Sequence, residues 1–84
     1  MVKKPVTINM ASGLDVRPLA MLVQVASQYK CETYIEIGDK HVNAKSIMGM
    51  MTLGLDQGDE VVVAADGQDE QEAIVSIENY LSGR

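Results

Sequence analysis

The sequence predicts a small α+β domain, with one sheet covered on one face by helices and its other face in water. Three observations point to this fold. Short runs with the two-residue period of strands, or continuous β-branched composition, alternate with segments of helical period. Their order along the chain is β-α-β-β-α-β-α. The run from Glu60 to Ala65 is too apolar for an exposed edge and belongs in the middle of the sheet.

The elements follow in order. Pro5 to Asn9 reads as the first strand, with Val6 and Ile8 alternating against Thr7 and Asn9. Ala11-Ser12-Gly13 breaks that run, and Pro18 suits the first turn of a helix that starts near Val16 or Arg17 and continues to about Gln28. Leu19, Leu22, Val23 and Ala26 give this helix a core-facing stripe, widened by Met21 and Val25. Thr33 to Ile37 is a second strand, Gly38-Asp39 a tight two-residue turn, and His41-Val42-Asn43 the returning strand. Ser46 is the N-cap candidate of a short helix from Ile47 to Leu53 that Gly54 would stop. After the central strand, Asp69 and Glu72 have the spacing of a capping box, and Ala73, Ile74, Ile77 and Leu81 keep helical period almost to the end.

With 84 residues, the chain is expected to form one domain over residues 1–84. A net charge of -5 works against nonspecific attraction to nucleic acid or anionic membrane, and the absence of Trp and Phe argues against base-stacking platforms. The core must be aliphatic, because Cys31 has no partner for a disulfide. Apolar runs fall far short of the roughly 20 residues that cross a bilayer, and Met1 to Pro5 lacks a signal-peptide apolar core, so a cytoplasmic protein is expected.

Two segments can carry chemistry. Gly13-Leu14-Asp15-Val16-Arg17-Pro18 opens onto a helix N-terminus, where unpaired N–H groups and the Arg17 charge favour an anion. Asp15 can supply that anion itself, and the plainer reading is an ordinary acidic residue in a first helical turn. The second segment is Lys45-Ser46-Ile47-Met48-Gly49-Met50-Met51. A short helix buries only one stripe, so some of Ile47, Met48, Met50 and Met51 should face solvent as an adaptable apolar contact surface. A phosphate on Ser46 would meet free N–H groups at the helix start. The plainer reading is an N-cap with Met as core filler.

The remaining residues offer less. His41 has no nearby His, Cys or carboxylate cluster and reads as a surface residue, so no metal site is expected. Cys31 lacks the basic surroundings of a reactive thiolate. The acidic run Asp66 to Glu72 reads as loop solvation and charge at the front of the last helix. No catalytic triad, phosphate loop or zinc motif is present, and neither enzyme activity nor a cofactor is expected.

Together the two segments resemble the phosphocarrier protein HPr family over almost the whole chain. Gly13, Leu14, Arg17, Pro18 and Ala20 match its first signature, Lys45 to Met51 its second, and Gly67 to Ala73 the opening of its final helix. The resemblance implies an open-faced β-sandwich whose four-stranded antiparallel sheet has the order 1-4-2-3 and packs against three helices. Carriers of this family hold a labile phosphoryl group on a His at the position of Asp15, so carrier activity should be absent or nearly so. The catabolite repression HPr-like (Crh) type lacks that His and keeps the regulatory Ser, which is the pattern seen here, although Crh carries Gln where this chain has Asp15.

By this resemblance, HPr kinase/phosphorylase would phosphorylate Ser46, and the product would act as corepressor of a LacI-type catabolite control repressor. Ile47, Met48 and Met51 would supply apolar contact and Arg17 a polar one. Asp15 would place a permanent negative charge near the same helix end. The alternatives are a phosphotransferase-system component that retains some phosphoryl transfer, or an interaction domain that works without phosphorylation. The loop at residues 11–13 would also permit exchange of the first strand between two copies, giving a homodimer.

Overall fold

In the computed structural model the described residues are 1–9, 16–55 and 57–83, with Val16 and Arg17 described by their backbone alone. The elements are β1 (Val2–Thr7), α1 (Val16–Ser27), β2 (Glu32–Ile37), β3 (Lys40–Asn43), α2 (Ile47–Met51), β4 (Glu60–Asp66) and α3 (Glu70–Leu81). All three strand pairs are antiparallel, in the order β1-β4-β2-β3. The apolar run from Val61 to Ala65 is therefore central, with β1 on one side and β2 on the other.

Side chains alternate between the two faces of the sheet along each strand. Val6, Ile35, Val61, Val63 and Ala65 are buried on the helical face. They meet Leu19, Leu22 and Ala26 of α1, Met50 of α2, and Ala73, Ile74, Ile77 and Leu81 of α3. The helix-free face carries a polar cluster instead. Glu36 forms an ion pair with Lys3 Nζ at 3.3 Å and lies 3.3 Å from His41 Nδ1, and the Tyr34 ring lies tilted against His41 with centroids 4.4 Å apart.

Three expectations need correction. The first strand runs from Val2 to Thr7 rather than from Pro5 to Asn9. Pro5 is inside it, opposite Val62, which an edge strand tolerates because a missing N–H can face away from the ladder. Ile8 and Asn9 leave the ladder but remain bonded: Ile8 donates to the Asp59 carbonyl and Asn9 to that of Leu81, both at 2.8 Å. Secondly, Met21 does not widen the core stripe of α1, since half of it is exposed.

The third correction concerns Asp69. It is the N-cap of α3 by position, yet its side chain makes no cap hydrogen bond. Its carboxylate instead accepts the backbone N–H groups of Lys30 and Cys31, both at 2.9 Å, and so ties the start of α3 to the turn between α1 and β2. Glu70 takes the local task by accepting the Gly67 N–H at 3.1 Å. The hairpin between β2 and β3 turns over Gly38 and Asp39, with Ile37 opposite Lys40. Only Gly38, at φ 60°, has positive φ there, the pattern of a type II′ turn.

Candidate functional site

The short helix α2 follows directly from how Asn43 ends β3. The Asn43 side-chain oxygen accepts the Lys45 N–H at 2.8 Å and its carbonyl accepts the Ser46 N–H at 3.0 Å, a local turn that places Ser46 at the N-cap with extended φ and ψ of -108° and 109°. Ser46 Oγ accepts the Gly49 N–H at 3.3 Å, at the long end of the range, while its carbonyl accepts Met50 N–H at 2.9 Å. The hydroxyl group stays exposed on this loosely held cap.

Five residues bury one position fully, Met50. Gly49 faces β3 so closely that a Cβ would lie 2.7 Å from Val42 Cγ1, which lets α2 rest on the strand. Ile47 is half-buried, whereas Met48 is 78% and Met51 51% exposed. The adaptable apolar surface expected beside Ser46 is thus formed by Met48 and Met51, one helical turn apart, with Ile47 at its edge. Thr52 closes the helix through its Oγ1, which donates to the Gly49 carbonyl at 2.6 Å.

Lys45, next to Ser46, turns away from it. Its Nζ donates to the Tyr29 carbonyl at 2.6 Å, a bond across the fold that residue types gave no reason to expect. Tyr29 in turn shares a short hydroxyl-to-hydroxyl hydrogen bond with Ser76 of α3. The other segment singled out in the sequence is only partly placed. Arg17 occupies the first turn of α1 by its backbone, and Asp15 lies outside the described residues. His41 stands on the helix-free face of the sheet, on the opposite side from α2.

Cys31 is buried, and burial first, then the neighbouring Asp69 carboxylate, push its thiol up to about 11, so it is protonated at neutral pH. Among the described residues no group of three or more His, Cys, Asp and Glu could hold a metal ion. Among the same residues no helix is long and apolar enough to cross a membrane.

A fold of this strand order, with an N-capping Ser ahead of a Met-rich helix, can be compared with known proteins. The family described as PTS HPr component, phosphorylation site, matches residues 2–82. The chain belongs to the HPr family. HPr-like protein Crh of Bacillus subtilis is 42% identical to it over 81 residues, 96% of this chain and 95% of that protein. The structure is similar to HPr-C-His of Thermoanaerobacter tengcongensis, with a TM-score of 0.92 and 40% identity over 100% of this chain and 98% of that one. It is also similar to a crystal structure of Bacillus subtilis Crh, a catabolite repression protein described as a swapped dimer, with a TM-score of 0.81 and 40% identity over 100% and 97% of the two chains. HPr and HPr-like proteins are not enzymes, and this chain is an HPr-like protein.

Proposed function

We infer that this chain is a phosphorylation-switched regulator of carbon use: HPr kinase/phosphorylase adds a phosphoryl group to Ser46, and the product is corepressor of a LacI-type catabolite control repressor. The observation that carries this reading is the exposed Ser46 hydroxyl beside the exposed Met48 and Met51. A phosphate there changes the charge of a contact surface without entering the core, because Met50 alone of the α2 methionines is buried. Arg17 would contribute from the first turn of α1.

Phosphoryl transfer from phosphoenolpyruvate is disfavoured on this reading. Asp15 brings no imidazole to the carrier position, and His41 is engaged with Glu36 on the other side of the sheet. The chain would act as one HPr-like domain over residues 1–84, in the cytoplasm, where kinase and repressor would meet it. A homodimer is part of the proposal, since Bacillus subtilis Crh is described as one.

Intact-mass analysis after incubation with HPr kinase/phosphorylase and ATP tests the switch. One added phosphoryl group on the wild type and none on Ser46→Ala is the expected result. No addition to the wild type, with an HPr carrier modified in the same tube, would remove the basis of the reading.

A further inference from the structure

The acidic residues are distributed unevenly: from Ser46 to Gly83 the chain carries Asp and Glu but no Lys, Arg or His. Helix α3 lies wholly in that stretch. Its outer face and the turn after α1 form a shallow groove of about 450 Å³ lined by Tyr29, Gln71, Glu72, Val75 and Ser76. Val75 is 51% exposed there, on a helix whose inward face already holds four buried residues. Glu72, one turn before it, is exposed, and its carboxylate has no hydrogen bond or ion pair among the described residues. The other acids at the start of α3 are occupied, Asp69 by the Lys30 and Cys31 N–H groups and Glu70 by that of Gly67.

The opposite wall is fixed in advance. Tyr29 is tied by its hydroxyl to Ser76 and by its carbonyl to Lys45 Nζ, and the next two residues are held by Asp69. A wall already ordered loses little freedom when something docks against it. An aliphatic floor, an aromatic wall and, at the rim, a carboxylate unpaired among the described residues together favour an apolar side chain flanked by cations.

We propose that this groove is a second docking surface, which takes an apolar side chain flanked by Lys or Arg from a basic amphipathic segment of a partner protein. It shares no lining residue with the Ser46, Met48 and Met51 surface, so the two surfaces can be occupied independently.

The test is an NMR titration of the isotopically labelled full chain with a helical peptide of leucine on one face and lysine on the other. A leucine and glutamate peptide of equal length is the control. The expected result is saturable shifts centred on Tyr29, Glu72, Val75 and Ser76 with the lysine peptide only. Affinity should fall about tenfold in Val75→Ser and in Glu72→Lys, weaken with added salt, and stay unchanged in Met48→Ser. Both groove positions are exposed on a helix, so the variants should keep the wild-type spectrum elsewhere. Shifts spread over the acidic surface without saturation, shifts centred on Met48 and Met51, or equal binding by Val75→Ser would overturn the proposal. Concentration-dependent shifts at the groove without peptide would overturn it too, by making a second copy of the chain the occupant.

Discussion

Gly49 and Val42 are in such close approach that a methyl group on Gly49 would stand 2.7 Å from Val42 Cγ1. In an ordinary helix, Gly→Ala stabilises by about 1 kcal/mol. Here Val42 is β-branched and stiff, and the clash must be relieved by moving α2. Gly49→Ala is therefore expected to destabilise by about 1–3 kcal/mol, as overpacking does, and Val42→Ala in the same chain should recover part of the loss. Denaturant unfolding of the single and the double variant beside the wild type checks both the sign and the rescue.

The methionines of α2 should divide by exposure. Met50→Ala is expected to cost about 2–5 kcal/mol, because it empties a fully buried position. Met48→Ala and Met51→Ala should change stability by less than about 0.5 kcal/mol while weakening partner binding. Equal destabilisation by all three would show that the exposed pair belongs to the core.

Asp69 makes stability depend on acid. The Lys30 N–H, and then its other hydrogen bonds, hold the carboxyl below the ordinary value of 3.8 in the folded chain. Its contribution is complete above that ordinary value and is lost as pH falls through the lowered one. Asp69→Asn should flatten the fall of stability as pH drops below the ordinary carboxyl value of 3.8, measured by urea unfolding over the acid limb. An unchanged acid limb would contradict the assignment.

The same latch shields Cys31. With its thiol pushed up to about 11, the native protein should react with iodoacetamide at pH 8 much more slowly than a free cysteine, and Asp69→Ala should speed the reaction. A rate matching that of a free cysteine would show that the turn is open.

Thr33 is fully buried and its hydroxyl has no hydrogen-bond partner among the described residues. Thr33→Val removes an unsatisfied polar group with little change of shape, so it is expected to be neutral or to stabilise by up to about 1 kcal/mol, read from the thermal midpoint.

Much of this was legible in the residues. Periodicity, β-branched composition and turn and cap residues gave the order of the elements, and the apolar run after Glu60 identified the central strand, because local pattern and burial agree there. The start of β1 was missed since Lys3 and Lys4 stand on an edge strand, where charge is tolerated and no apolar alternation marks the register. Asp69 was misread because a capping box is a local spacing, whereas its real partners lie 38 and 39 residues away. The exposed methionines were foreseen from the shortness of α2, but which of them is buried depends on how Gly49 seats the helix on Val42. Lys45 and Tyr29 could not be paired from sequence, as one partner is a backbone carbonyl that every residue possesses.

The most direct test of the switch is binding of a LacI-type catabolite control repressor to its operator, followed by fluorescence anisotropy with the chain phosphorylated on Ser46, unphosphorylated, or carrying Ser46→Ala. The account predicts that only the phosphorylated chain tightens operator binding, by about tenfold or more. Equal tightening by the Ser46→Ala chain, or no change with the phosphorylated one, would contradict it.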